Sequence, residues 1–200
     1  MRFISYFRHF AILFLKMILP IVAYGDAVLR KKGAKLTREH DGLELLIESM
    51  WETMYESSGV GLAAPQIGKS LNLFVVDATP MEDPNYTDFK KVFINAEIIE
   101  EFGDKWEYEE GCLSIPHIRD NVKRYSDIVV RYMDENFVEH EEEFNGMPAR
   151  VIQHEYDHIN GVLFVDHLSE LRKRLLKNKL INISKGGVDV DYRMRFPAIR

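Results

Sequence analysis

The sequence predicts an α+β domain, with mostly antiparallel sheets packed around one central helix that carries the string His154-Glu155-x-x-His158. Three observations lead there. Residues 38–57 repeat apolar positions at helical spacing, strand-like runs follow, and a second helical stretch over 146–161 is apolar on several faces. Helix, then strands, then helix and tail describe segregated elements, which favours antiparallel pairing over alternating βαβ units.

In the first stretch Leu43, Leu46, Ile47, Met50 and Met54 form one stripe, with Thr37 as the expected N-cap and Gly59 as the stop. The stripe reads as core. Leu71–Ala78 reads as a buried strand, and Val92–Ile99 as another that leads to Trp106 and Tyr108. Asp127–Met133 and Phe137–Phe144, joined by Asp134-Glu135-Asn136, read as a hairpin. Gly146 and Pro148 open the second helix, where a missing N–H costs little, and Gly161 ends it. Val151, Ile152, Tyr156 and Ile159 place apolar groups on several of its faces, as a buried helix requires.

The chain has 200 residues, 46% of them hydrophobic, enough for one domain with a substantial core. A formal net charge of −6 argues against a dedicated nucleic-acid binder. No run of about 18–20 apolar residues occurs, so no membrane span is expected. Residues 1–16 (MRFISYFRHFAILFLK) place Arg2 and Arg8 before an apolar stretch that Lys16 and Pro20 interrupt. The leading reading is that translation starts at Met17. An organelle transit segment is second and a secretion signal third. The expected division is 1–16 extension, 17–183 main domain and 184–200 carboxy-terminal tail.

The chemistry concentrates in Gln153-His154-Glu155-Tyr156-Asp157-His158. Positions i and i+4 of a helix share a face, so His154 and His158 can direct two imidazole nitrogens at one ion. Glu155 sits about 100° round the helix, able to take a proton from a water on that ion without ligating it. Two histidines under-coordinate a metal. A third histidine at metzincin spacing is absent, since Ile159-Asn160-Gly161-Val162-Leu163 follows. The only cysteine, Cys112 in Glu110-Gly111-Cys112-Leu113-Ser114-Ile115-Pro116, offers a thiolate suited to zinc or iron, against the plainer role of a small buried residue. A lone cysteine fits a reducing cytoplasm. In Gly59-Val60-Gly61-Leu62-Ala63-Ala64-Pro65-Gln66, the glycines permit close backbone approach and the Gln66 amide can donate to an oxyanion.

These three strings, GVGLAAPQ at 59–66, EGCLSIP at 110–116 and QHEYDHING at 153–161, closely resemble the motifs of the peptide deformylases over roughly residues 17–183. Ile159 stands where leucine is usual. The resemblance implies a hydrolase that removes the formyl group from the N-terminal formylmethionine of nascent polypeptides and releases formate. It implies one divalent metal ion on Cys112, His154 and His158, with Fe2+ native and Zn2+, Ni2+ or Co2+ as substitutes. It implies Glu155 as the base, Gln66 and the Leu113 N–H as oxyanion donors, and Gly61 as a backbone contact to substrate. Val60, Tyr108, Met147 and Val151 occupy the matching positions of a methionine pocket, against a plain core role. Arg119 is placed to bind the peptide backbone, against a solvated loop charge. Glu110 and Arg124 match a structural ion pair.

The basic run Arg172, Lys173, Arg174, Lys177 and Lys179 reads either as a solvated face or as a surface that docks on the ribosome near the peptide exit. His9, His40, His117, His140 and His167 show no ligand spacing and read as surface or packing residues. Two other classes compete: an HExxH endopeptidase, which the Cys112 context disfavours, and a non-catalytic module stabilised by metal, which would need neither Glu155 nor Gln66.

Overall fold

The structure, a computed structural model, describes residues 17–81 and 88–197. The extension 1–16 and His9 lie outside the described residues. In chain order come β1 (Ile21–Val22), α1 (Leu43–Glu56), β2 (Gly61–Ala63), β3 (Leu73–Asp77), β4 (Lys90–Cys112), β5 (Ile115–Met133), β6 (Glu139–Asn145), α2 (Gly146–Ile159), α3 (Glu170–Ser184) and β7 (Met194–Arg195). β2-β3-β4-β5-β6 form one antiparallel sheet, and β1 pairs with β7 in parallel. The fold is thus mixed helix and sheet with antiparallel pairing dominant. Among the described residues no helix is long and apolar enough to cross a membrane.

α1 starts later than the sequence suggests. Arg38 to Asp41 are polar and supply no apolar position, so the helix begins only at Leu43, with Gly42 rather than Thr37 as its N-cap. Gly42 has φ 72°, a left-handed conformation that glycine adopts without a Cβ penalty. At the other end Ser58, not Gly59, takes the left-handed position (φ 55°), and the Gly59 N–H closes the turn on the Met54 carbonyl. The stripe Leu43, Leu46, Ile47, Met50 and Met54 packs with Leu62, Leu73, Val75, Val92 and Ile94 in one buried cluster.

The third strand is trimmed to Leu73–Asp77, but β4 and β5 are far longer than the expected Val92–Ile99 and Asp127–Met133. Their extra length pairs strand with strand over polar residues, Lys105 opposite Tyr125 and Glu109 opposite Asn121. Register shifts between Ile94 and Glu97 and between Phe102 and Lys105 break the alternation that would mark a strand in sequence. The two strands meet in a hairpin whose last pair is Cys112 with Ile115, leaving only Leu113 and Ser114 in the turn. β6 begins at Glu139, after a turn in which Asp134 Oδ1 accepts from the N–H groups of Asn136 and Val138.

α2 leaves β6 directly, with Asn145 as its N-cap. Pro148 falls within the first turn, where the helix has no intrahelical acceptor for its missing N–H. The helix ends at Ile159, and Gly161 follows at φ 75°, where a Cβ would lie 2.8 Å from the Arg30 carbonyl. Ala149, Val151, Ile152 and Ile159 pack against Phe74, Phe93, Tyr132 and Phe144 of the sheet. Phe74 and Phe93 stack at 4.7 Å and Phe144 meets Phe93 edge-on at 5.9 Å, geometries that aromatic quadrupoles favour. A third cluster joins Ile115, Ile118 and Val122 of β5 to Leu176, Leu180 and Ile183 of α3.

Candidate metal centre and cleft

Cys112 is the last residue of β4, and Glu110, two positions back, points to the same face of the strand. That face meets α2. Cys112 Sγ lies 3.2 Å from His158 Nε2. One ligand atom each from Cys112, His154 and His158 falls within 4.8 Å of the others, the sole such cluster among the described residues. One sulfur and two imidazole nitrogens form a donor set for a divalent transition ion with an open position. Burial pushes the Cys112 thiol up, yet His158 and His154 beside it pull it down to about 5, into the thiolate range a metal ligand needs. Burial alone would lower His154, but its hydrogen bonds to Cys112 and Glu110 outweigh that and raise it. The residues therefore fit a metal ion.

Glu110 is buried and saturated. Arg124 Nε donates to Oε1 at 2.7 Å and Nη2 to Oε2 at 3.0 Å. Arg150 Nη1 adds a bond to Oε1 at 3.0 Å, and His154 Nδ1 lies 2.9 Å from Oε2. An ionised carboxylate only accepts, so His154 Nδ1 donates to Glu110, which leaves Nε2 as the nitrogen that faces the centre. Burial raises the Glu110 carboxyl, but the bonds to His154 and Arg124 hold it well below the usual range. Arg124 also reaches Asp157 at 2.8 Å, so two arginines face two carboxylates and the buried charge is balanced. Asp157 continues to His167 at 2.7 Å.

Glu155 is as buried as Glu110 but differently placed. Its Oε2 has no hydrogen-bond partner among the described residues. Burial pushes its carboxyl up to about 7, against the pull of His154 and His158. The same carboxylate explains Gly61, where a Cβ would sit 2.5 Å from Glu155 Oε1 and 2.8 Å from Cγ. Gly61 thus makes room for the glutamate.

Gln66 lies in a short 3-10 turn after β2. The Ala63 N–H donates to its Oε1 at 2.7 Å, which assigns the amide: Nε2 is turned toward the centre, 3.5 Å from Cys112 Sγ. In a two-residue hairpin the first turn residue stays outside the ladder, so the Leu113 N–H is not spent on strand pairing.

These groups border one cleft of about 600 Å³. Val60, Gly61, Gln66, Tyr108, Leu113, Arg119, Met147 and Val151 all line it. Val151 is also part of the aromatic cluster and Val60 packs against it, so these two residues belong to the core as well as to the cleft wall. Tyr108 and Arg119 are exposed, and Arg119 lies 3.9 Å from Glu109. His140 and His167 pair with carboxylates, whereas His117 lines the cleft. Sequence reasoning missed Arg150, whose guanidinium lies over the Trp106 ring and bonds its carbonyl at 2.7 Å. The signal was available, since Arg150 precedes His154 by four residues and shares its helix face. It also missed Val190 and Tyr192 of the tail, which line the cleft.

An HExxH helix facing a cysteine on a strand end is an arrangement found in metallohydrolases. The polypeptide deformylase profile matches residues 18–174. The peptide deformylase of Christiangramia forsetii is 53% identical over 190 residues, covering 90% of this chain and 97% of that one. That of Cytophaga hutchinsonii is 55% identical over 181 residues, covering 90% and 98%. The crystal structure of the Thermus thermophilus peptide deformylase superposes with a TM-score of 0.77 at 38% identity, covering 85% of this chain and 99% of that one. The Legionella pneumophila enzyme gives 0.75 at 38% identity, covering 86% and 98%. The chain belongs to the polypeptide deformylase family. It is a metal-dependent hydrolase that removes the formyl group from the N-terminal formylmethionine of nascent polypeptides, releasing formate.

Proposed function

We propose that Cys112 at the end of β4 and His154 and His158 on the central helix α2 hold the catalytic ion of this deformylase. The observation that carries this reading is the convergence of their three ligand atoms within 4.8 Å beside a buried, unpartnered carboxylate oxygen. When bound, a divalent ion supplies an acidified water and a Lewis acid for the formyl oxygen. Glu155 accepts the proton of the attacking water and returns it to the leaving amine, a role suited to a carboxyl near 7. The Gln66 amide and the Leu113 N–H donate to the oxyanion as it develops. Gly61 bonds the substrate backbone, Arg119 its downstream chain, and Val60, Tyr108, Met147 and Val151 receive the methionine side chain. Glu110 and Arg124 hold the His154 ring and the Cys112 strand end in register.

Fe2+ is the native ion in this reading, and Ni2+ or Co2+ replaces it with activity retained, Zn2+ with less. The enzyme works in the cytoplasm, where nascent chains emerge. The exposed Leu171 and Leu175, together with Arg174, Lys177 and Lys179 of α3, dock it near the ribosomal exit. Anaerobic reconstitution of the apoprotein with each ion, followed by formate release, tests the metal assignment. One ion per chain, lost on His158→Ala, is expected. A full metal complement in that variant, or equal rates with all four ions, contradicts it.

A further inference from the structure

The tail beyond α3 returns to the cleft. Gly186 (φ 80°) turns the chain, and the Gly187 N–H closes on the Asn182 carbonyl at 2.9 Å. The Asp189 carbonyl meets His117 Nε2 at 2.7 Å, where β5 carries a left-handed non-glycine residue (φ 61°). Val190 and Tyr192 then line the cleft. Beyond them β7 pairs with β1, with Ile21 N–H on the Arg193 carbonyl at 2.8 Å and Ala23 N–H on that of Arg195 at 2.9 Å. The segment is therefore anchored at both ends and crosses the hairpin that presents Cys112.

At the crossing, the Tyr192 hydroxyl donates to the Leu113 carbonyl at 2.8 Å. The next carbonyl, Ser114, accepts from the Tyr24 N–H at 2.8 Å. A two-residue turn has no ladder bond of its own, so the orientation of its peptides depends on such outside partners. Tyr192 and Leu113 also pack against the same apolar cluster as α1. The strap lies beyond residues 18–174, the part that the family profile matches.

We propose that Tyr192, held in place by the anchored segment 188–196, is a positioning residue: its bond to the Leu113 carbonyl fixes the two-residue turn from which the Leu113 N–H faces the developing oxyanion. This rests on the reading of Leu113 as an oxyanion donor. Tyr192 touches neither substrate nor ion in this role, so its loss costs orientation only. One hydrogen bond of this kind corresponds to about 3- to 10-fold in rate.

The test is steady-state deformylation of a formyl-Met tripeptide by the full-length, metal-loaded enzyme carrying Tyr192→Phe, which keeps the ring and removes the donor. Gln66→Leu is measured alongside, with metal content determined for both. The expected result for Tyr192→Phe is a kcat reduced about 3- to 10-fold, KM within about twofold and one ion per chain. An unchanged kcat, while Gln66→Leu loses turnover, overturns the role of Tyr192 and leaves the oxyanion reading standing. Unchanged kcat in both variants overturns the oxyanion reading and the inference with it. A raised KM at constant kcat, or a kcat that falls only in step with lost metal, also overturns it, because Tyr192 would then be a wall or a brace.

Discussion

Glu110 and Glu155 are two buried carboxylates near His154, and their hydrogen bonding differs. Glu110 accepts from Arg124, Arg150 and His154 and is held ionised. Glu155 Oε2 has no partner among the described residues, and burial pushes its carboxyl up to about 7. Saturation by donors turns a buried acid into a fixed anion that orients others. Desolvation with one oxygen unpartnered raises a buried acid instead. The same helix and strand end thus hold one carboxylate saturated by donors and one with an unpartnered oxygen.

Substitutions separate the two roles. The largest effect is expected at the base: Glu155→Gln should cut formate release by about 10²–10⁴ with thermal stability unharmed, because a neutral amide accepts no proton. A turnover within tenfold of the parent enzyme would remove Glu155 from the chemistry.

Next come the anchor's partners. Arg124→Ala strands Glu110 and Asp157 with one cation fewer and should cost about 3–5 kcal/mol, seen as a lower denaturation midpoint. Metal retention should weaken with it, since His154 loses its fixed orientation. A midpoint unchanged from the parent would show that Arg150 alone suffices.

Gly61→Ala should sharpen the contrast, because the new Cβ collides with Glu155 and not with Glu110. A displacement near 1 Å at a reacting group costs on the order of 10²-fold, so kcat should fall while metal stays bound. Loss of metal instead would mean that the collision is relieved by moving α2.

The smallest effect belongs to a pair with similar geometry but a different environment. Arg131 and Glu141 meet at 2.8 Å across β5 and β6 in solvent, and Arg131→Ala should cost at most about 1 kcal/mol. A loss approaching that of Arg124→Ala would break the link between burial and effect.

The sequence carries these roles unevenly. His154, Glu155 and His158 were legible because i, i+4 spacing on a helix is a local fact. Cys112 stood out as the only thiol, and its place at a strand end follows from the hairpin that closes immediately after it. The extent of β4 and β5 was hidden, since their outer halves pair over polar residues and bulges near Phe102 erase the alternation. Tyr192 was hidden for another reason: β7 is two residues long and has no period to read. Its contact with Leu113 joins positions far apart in sequence, which only folding brings together.

The most direct measurement sets the two carboxylates side by side: metal content and formate release for Glu155→Gln and Glu110→Gln, prepared identically under anaerobic conditions. The division of roles predicts one ion per chain without turnover in the first variant. In the second it predicts depleted metal, with the remaining turnover proportional to the ion retained. Metal lost from Glu155→Gln, or full metal and normal turnover in Glu110→Gln, would contradict it.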